Sequence, residues 1–230
     1  MNHGLFITIE GTDGSGKGTQ TQLLVERLKR EHYPMEVISF PRYGERSAVM
    51  VEDYLNGKYG TATEVGPYRA SIFYATDRYA ASSEIRDWLN QGKIVIANRY
   101  VGSNMAHQGG KIIDPVKRTK FFAWIHELEY TIFAIPKPDI NIILHVNAEI
   151  AQQLVDKKET RDYLHGKKRD IHEDDLNHLR AAEASYLTMA QHFSDYSIIE
   201  CVENNTILDI DTIHKKIWTL VSKHLNTIFP

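Results

Sequence analysis

A glycine-rich segment near the start of the chain has the residue types and the spacing of a phosphate-binding loop. Gly11, Gly16 and Lys17 fit the pattern G-x-x-x-x-G-K. Glycines let successive backbone N–H groups turn toward an anion, and the lysine supplies a mobile cation for the outer phosphates. The residues predicted to bind a nucleotide here are Gly11, Thr12, Asp13, Gly14, Ser15, Gly16, Lys17, Gly18 and Thr19.

One position of this loop departs from the usual pattern. The residue after the lysine is normally Ser or Thr, whose hydroxyl binds magnesium, and here it is Gly18. Thr19 carries a hydroxyl one position later. A glycine-rich turn that binds nothing is the alternative, but the apolar run before it and the helical segment after it both favour a phosphate loop.

Two arginines follow predicted strands and could bind a second phosphate. Arg42 comes after the apolar run 35–40, and Arg99 comes after the run 94–97. Ligands of parallel sheets bind at the carboxyl ends of the strands, so both arginines should lie near the phosphate loop. The guanidinium is a planar fork that suits phosphate oxygens. For Arg42, a surface arginine beside a turn remains the alternative.

A tyrosine and an arginine on a predicted long helix could recognise a base. Tyr74 and Arg78 are four residues apart and therefore share one helical face. The ring could stack on the base while the guanidinium hydrogen-bonds to its edge. A core aromatic residue beside an arginine with a buried stem is the alternative.

A charged segment late in the chain contains Arg161, Lys168 and Arg169. A run of this kind is usually a solvated surface. Because it lies between two predicted helices of a nucleotide-binding fold, it could instead be a lid over about residues 159–175. Such a lid would bring cations to the transferring phosphates.

Short apolar runs alternate with helical periodicity along the chain, which predicts an α/β fold. Together with the phosphate loop, the pattern predicts a three-layer P-loop NTPase fold, in which helices flank a five-stranded parallel sheet and a mobile lid is added. The predicted strands are 5–9, 35–40, 94–97, 140–146 and 197–202. The predicted helices are 16–32, 48–55, 67–90, 115–132, 149–158, 176–192 and one around 213–225.

The overall composition limits the class of protein. A chain of 230 residues, 42% of them hydrophobic, predicts one globular domain over residues 1–230. The net charge of -3 indicates no general nucleic-acid or membrane surface. The single Cys201 suits a reducing compartment, and the N-terminal apolar run lacks the basic flank of a signal peptide. We therefore expect a cytoplasmic protein without nucleic-acid or membrane partners.

Taken together, the motifs resemble the thymidylate kinase (dTMP kinase) family over nearly the whole chain. Each motif is weak alone, but their order and spacing are specific. The motifs are the phosphate loop with Thr19-Gln20, Phe40-Pro41-Arg42-Tyr43, Asp77-Arg78, Asn98-Arg99-Tyr100 with Ser103-Asn104, Gln108-Gly109-Gly110, Asp170 with Glu173, and Tyr186-Leu187.

The resemblance implies phosphoryl transfer from ATP to dTMP, with Mg2+, in a homodimer. Asp13 would face the sugar 3′-hydroxyl, Arg42 and Arg99 would hold the acceptor phosphate, and Arg78 would read the thymine edge. Tyr74 is preferred to Phe73 as the stacking ring. The implied catalytic residues are Lys17, Arg99, Arg169 and Asp13, and the implied lid residues are Arg161, Lys168 and Arg169. The implied substrate-binding residues are Asp13, Arg42, Tyr43, Phe73, Tyr74, Arg78, Arg99, Asn104, His107, Gln108 and Tyr186.

Three residues depart from the family pattern. Asn98 stands where the family has Asp, which helps to position magnesium, and His107 stands where many members have Tyr near the sugar. Gly18 removes a hydroxyl that Thr19 could replace, so Thr19 and Asn98 are the candidate metal ligands. The alternatives are a kinase for another nucleoside monophosphate or a deoxynucleoside, and a catalytically degenerate nucleotide-binding paralogue.

Overall fold

The computed structural model describes residues 4–156 and 176–228. Its main sheet is parallel, with the strand order β2-β3-β1-β4-β5, which confirms the predicted α/β class. The sheet strands are β1 (Leu5–Glu10), β2 (Met35–Ser39), β3 (Ile94–Asn98), β4 (Ile140–His145) and β5 (Tyr196–Glu200). Two short antiparallel strands, β6 (Val202–Glu203) and β7 (Thr206–Ile207), form a separate hairpin.

Helices cover both faces of the sheet. None of the helices in the described ranges is long and apolar enough to cross a membrane. The helices are α1 (Lys17–Arg30), α2 (Val49–Leu55), α3 (Ala62–Asn90), α4 (Val101–Gly109), α5 (Pro115–His126), α6 (Ala148–Asp156), α7 (Leu176–His192) and α8 (Ile210–Ile228). A π-helical turn, Glu127–Ile132, continues α5.

The alternation of side chains along β1 divides the core into two layers. Leu5, Ile7 and Ile9 pack with α1 and α8, whereas Phe6 points to the opposite face and packs with α3, α4, α5 and α7. Alternate residues of a strand point to opposite faces, so a fully apolar strand is buried on both sides. Glu10, which shares the face of Phe6, is therefore directed into the second layer of the core.

Most predicted elements are present, and the differences have local causes. α3 begins at Ala62 rather than residue 67 because Thr61 and Glu64 form a capping box. The helix is interrupted at Gly66, whose φ is 74°, and the predicted start at Pro67 marks the straight part that follows. Sequence reasoning missed α4, because its first residues follow β3 with no capping side chain, and it missed the small hairpin.

The last residue of β4 joins three elements of the fold. The His145 Nε2 atom lies 2.9 Å from a Glu183 oxygen on α7, and its Nδ1 atom lies 2.6 Å from a Glu200 oxygen on β5. The Glu183 hydrogen bond raises the pKa of His145 to about 9, burial opposes the shift, and Glu200 adds to it. His145 is therefore protonated at neutral pH and links β4, β5 and α7.

We predict that His145→Gln lowers the thermal midpoint more at pH 6 than at pH 10. Stabilisation by protonated His145 is complete below the ordinary histidine pKa and is lost as the pH rises through about 9. Because the group is partly exposed, screening limits the effect to about 1 kcal/mol, or about 2–4 °C in a domain of this size. Differential scanning fluorimetry measures the shift, with the exposed His192→Gln as control. Equal losses at both pH values would contradict the assignment.

Candidate active site

A cavity of about 770 Å³ opens at the edge of the sheet where the parallel strands end. Its walls come from the segments that follow β1, β2 and β3, and from α2, α3 and α4. The lining residues are Asp13, Gly14, Gly16, Lys17, Gly18, Ser39, Phe40, Pro41, Tyr43, Gly44, Glu52, Leu55, Tyr74, Arg78, Asn98, Arg99, Tyr100, Ser103, Asn104, His107 and Gln108.

The predicted phosphate loop lies at one end of this cavity. Gly11 and Gly14 have φ values of 142° and 84°, and a Cβ at Gly14 would lie 2.0 Å from the Ala151 carbonyl oxygen. Only glycine therefore fits there. No side chain caps the first turn of α1 and no acidic residue lies in it, so the helix presents the positive end of its dipole to the cavity. Lys17 is buried and donates to the Thr12 carbonyl oxygen at 2.7 Å.

Arg99 extends over the phosphate loop and is paired with Asp13. The two side chains meet at 2.5 Å, and the remaining contacts of Arg99 are 3.2 Å to Ser103, 3.0 Å to His107 and 3.5 Å to the Gly11 carbonyl oxygen. Burial lowers the pKa of Arg99, but the charge of Asp13 and of other nearby groups raises it by more. The net pKa is therefore above the usual arginine value, and the guanidinium is permanently charged. Its φ of 67° is left-handed, which costs roughly 1–2 kcal/mol for a residue with a Cβ.

Asp13 was predicted to face a sugar hydroxyl, and in this structure its carboxylate instead pairs with Arg99. The pairing holds the cation over the loop and offsets part of its desolvation. Asp13 also lines the cavity, so its contact with Arg99 does not remove it from the site.

Beneath the phosphate loop lies a buried carboxylate that sequence reasoning did not identify. Glu10 accepts from the Ser103 hydroxyl at 2.5 Å and from the Tyr100 backbone N–H at 2.9 Å. Burial raises the pKa of Glu10, against the hydrogen bonds and the nearby Arg99 charge. The Tyr186 hydroxyl lies 3.0 Å from Ser103 and donates to the Gly11 carbonyl oxygen at 3.2 Å. The sequence signal that could have identified Glu10 is an acidic residue at the end of a largely apolar strand.

His107 is a neutral partner of the arginine. Burial lowers the pKa of His107 well below its usual value, and the Arg99 charge lowers it further. The Nε2 atom therefore accepts from Arg99 at 3.0 Å, which assigns the proton to Nδ1, 3.3 Å from the His178 Nε2 atom. The predicted site residue His107 thus contacts the phosphate end through Arg99.

At the other end of the cavity, Arg78 is held by a glutamate that was also missed. The Nε and Nη2 atoms of Arg78 donate to the two oxygens of Glu129 at 2.5 and 2.6 Å, and both residues are almost fully buried. Burial lowers the pKa of Arg78, but the Glu129 charge and its hydrogen bonds outweigh burial, so the net pKa is raised. Asn104 donates from Nδ2 to Glu129 at 2.9 Å and to the Ser71 carbonyl oxygen at 3.2 Å. Its Oδ1 atom is buried with no partner in the described part of the chain.

The other predicted base and sugar residues divide between the cavity wall and the layer behind it. Tyr43, Tyr74 and Gln108 line the cavity. Phe73, the second choice as stacking ring, packs against Tyr54 and Tyr59 and is not part of the lining. The structure therefore favours Tyr74 over Phe73.

Three predicted contacts are placed differently from expectation. Arg42 donates to Asp77 at 3.2 Å and to the Ser47 hydroxyl at 2.8 Å, and it does not line the cavity. Tyr186 lies behind the phosphate loop rather than in the lining. Thr19 is exposed and also lies outside the lining, so its hydroxyl does not take the place that Gly18 leaves empty. The predicted lid residues Arg161, Lys168 and Arg169 lie outside the described residues.

The chain is similar in sequence and in fold to known proteins. The family model described as thymidylate kinase matches residues 9–212. The chain is 30% identical to the thymidylate kinase of Mycobacterium tuberculosis over 187 residues, which covers 81% of this chain and 86% of that protein. It is 28% identical to a probable thymidylate kinase of Thermococcus kodakarensis over 224 residues, 94% of this chain and 97% of that protein. A solved thymidylate kinase of Candida albicans has the same fold, with a TM-score of 0.74, 22% identity, and coverage of 98% of this chain and 94% of that one.

We predict that Lys17→Ala lowers turnover by at least about 10²–10³-fold, because it removes a preorganised cation from the phosphate loop. The variant loses the hydrogen bond of Lys17 to the Thr12 carbonyl oxygen, and a bond of this kind is worth about 0.5–1.5 kcal/mol, so the thermal midpoint should change far less than turnover. A coupled assay of phosphoryl transfer measures turnover, and exposed Lys29→Ala on the same helix is the matched control. Retained turnover would remove the role assigned to the loop.

Proposed function

Because the chain belongs to the thymidylate kinase family, we propose that it transfers the terminal phosphoryl group of ATP to dTMP and releases dTDP and ADP. The reaction would take place within a single kinase domain, with ATP phosphates on the glycine loop and dTMP in the rest of the cavity. A phosphate oxygen of dTMP attacks the terminal phosphorus of ATP, and the bond from that phosphorus to the oxygen of ADP breaks.

One observation carries the choice of thymine over cytosine as the base. Arg78 offers a guanidinium nitrogen, Nη1, that has no partner in residues 4–156 and 176–228, and Asn104 offers the unpartnered acceptor Oδ1. Thymine has a carbonyl acceptor at position 4 beside an N–H donor at position 3, and the two protein groups complement this pair. Cytosine has an amino donor and a ring-nitrogen acceptor at the same positions, so both contacts would be mismatched.

The phosphate end supports transfer by positioning and by charge. Phosphoryl transfer needs little covalent help from the protein, so fixed cations and N–H groups supply most of the catalysis. Lys17 and the first turn of α1 would bind the phosphates of ATP. Arg99 would bind the phosphate of dTMP or the phosphoryl group in transfer. Arg42 lies outside the lining, held by Asp77 and Ser47, so binding the dTMP phosphate would require its side chain to move.

Magnesium fits this site as an ion held mainly by the nucleotide. No group of three or more acidic, histidine or cysteine ligands occurs within the described ranges. Mg2+ commonly retains several waters and uses phosphates with only one or two protein ligands. Asn98 lines the cavity, and its Oδ1 atom is buried without a partner in the same ranges, so Asn98 is the protein residue placed to hold the ion or its water. When bound, the ion would neutralise phosphate charge.

We predict that Asn98→Asp lowers, several-fold, the Mg2+ concentration that gives half-maximal turnover. A carboxylate adds a charge that a hard cation prefers to a neutral amide. A magnesium titration at saturating ATP and dTMP measures the effect. Asn90→Asp adds the same charge at an exposed position and is the control. An unchanged midpoint for Asn98→Asp would remove Asn98 from the metal site.

We predict that the protein uses dTMP and dUMP about ten- to several hundredfold better than dCMP, because cytosine leaves buried donors and acceptors unpaired. Asn104→Ala should lower kcat/KM for dTMP at least about tenfold and change dCMP much less. Arg78→Ala is a poorer test, since it would leave Glu129 charged and buried, at a cost of about 3–5 kcal/mol.

The panel for this test should include dGMP, since guanine presents the same carbonyl and N–H pair as thymine. Thermal midpoints of the unmodified protein and of Asn104→Ala show whether a change in selectivity reflects loss of fold. Turnover of dCMP equal to that of dTMP in the unmodified protein would overturn the dTMP assignment while leaving the kinase class intact. No turnover of any monophosphate would favour a binding protein.

The proposal includes a cytoplasmic homodimer. Tyr68, Ile72 and Tyr79 lie on one face of α3 and are 46%, 41% and 55% exposed, so this face presents three large hydrophobic or aromatic side chains at helical spacing. A second copy covering this face would bury them. Light scattering at micromolar concentration tests the dimer, and cell fractionation tests the location; a monomer or a secreted protein would contradict the corresponding part.

A further inference from the structure

We propose that Glu129 is the positioning residue that sets base selectivity, by fixing the two groups that read the base. The inference rests on the proposed function, because it concerns the same end of the same cavity. Glu129 does not line the cavity and is 0% exposed, so it acts only through Arg78 and Asn104.

Glu129 accepts three hydrogen bonds from side chains that line the cavity. Its Oε2 atom accepts from Arg78 Nε, and its Oε1 atom accepts from both Arg78 Nη2 and Asn104 Nδ2. All three bonds lie between 2.5 and 2.9 Å. A carboxylate can accept all of them because it has no hydrogen of its own. An uncharged amide of the same shape cannot.

These bonds determine which end of the Asn104 amide is left for a ligand. The Nδ2 group faces two acceptors, the Glu129 carboxylate and the Ser71 carbonyl oxygen at 3.2 Å. A flipped amide would place its oxygen against both of these oxygens. The amide is therefore locked with Oδ1 as the unpartnered atom, and this atom matches the N3–H of thymine but not the bare N3 of cytosine.

The same carboxylate orients Arg78. Two of the three guanidinium nitrogens are bound to Glu129 in a bidentate pair, which fixes the plane of the group. Nη1 has no hydrogen-bond partner within the described residues and is left to bind the ligand. Because the pair is formed in advance, binding of a base does not have to order the side chain.

The backbone explains how a charged residue reaches this position. Glu129 lies in the π-helical turn Glu127–Ile132, where the Phe133 N–H bonds to the Leu128 carbonyl oxygen and the Ile135 N–H bonds to the Glu129 carbonyl oxygen. Such turns often occur at functional sites. Glu127, two residues earlier, is exposed and makes no contact with Arg78 or Asn104.

The test compares Glu129→Gln with the matched control Glu127→Gln. In either orientation, the side-chain amide that Glu129→Gln introduces places its NH2 group against a donor, so Arg78 loosens or Asn104 flips. We expect the ratio of kcat/KM for dTMP to that for dCMP to fall at least tenfold in Glu129→Gln, with KM for ATP within twofold of its original value. Glu127→Gln should change neither. A ratio within twofold of the unmodified protein would overturn the proposal.

Glu129→Asp keeps the test decisive if Glu129→Gln does not fold. The shorter carboxylate cannot reach all three donors, so Arg78 is held less firmly. The aspartate still offers only acceptors, and the Ser71 carbonyl oxygen still accepts from Asn104 Nδ2, so the Asn104 amide keeps its orientation. We expect KM for dTMP to rise at least fivefold while the dTMP to dCMP ratio stays within threefold. An unchanged KM for dTMP would overturn the proposal. If the unmodified protein shows no preference for dTMP, the proposed function fails first, and the two failures are thereby distinguished.

Discussion

The site depends on pairing each of its two arginines, the buried Arg78 and the partly buried Arg99, with a carboxylate. Arg99 is held by Asp13 and Arg78 by Glu129, and both cations face one cavity. An unpaired guanidinium at either place would carry a desolvation penalty of several kcal/mol. The two pairs allow positive charge to be kept in a largely buried site, and they leave only selected nitrogens for a ligand.

The two arginine–carboxylate pairs have different effects on a ligand because their carboxylates differ in position. Asp13 belongs to the phosphate loop itself and lines the cavity, so its negative charge acts directly on any phosphate that binds there. Glu129 lies behind the wall and is shielded from the ligand by the groups that it orients. The phosphate end is therefore a balance of charges, and the base end is a fixed pattern of donor and acceptor.

Sequence reasoning found the parts of the site whose signals are local. The phosphate loop is defined by nine consecutive residues, and the strand before Arg99 and the helix that carries Arg78 are visible as an apolar run and as helical spacing.

Glu10 and Glu129 were missed because their partners are distant in sequence: Ser103 is 93 residues from Glu10, and Arg78 is 51 residues from Glu129. The turn that buries Glu129 is π-helical, and no simple periodicity marks it. Arg42 shows the reverse case: a motif predicts it at the phosphate, and in the structure Asp77 and Ser47 hold its side chain.

The contacts of Arg99 show how the pairing can persist when phosphate binds. Its Nη2 atom is bonded to the Asp13 carboxylate. Within residues 4–156 and 176–228, its Nη1 atom contacts neutral acceptors, namely the Ser103 hydroxyl, the His107 ring and the Gly11 carbonyl oxygen, at 3.0 to 3.5 Å. A phosphate oxygen forms a shorter and stronger bond with a guanidinium than any neutral group. It can therefore replace the neutral acceptors at Nη1 without displacing Asp13. The low pKa of His107 matters here, because a protonated ring could not accept from Arg99 and would compete with it for the phosphate.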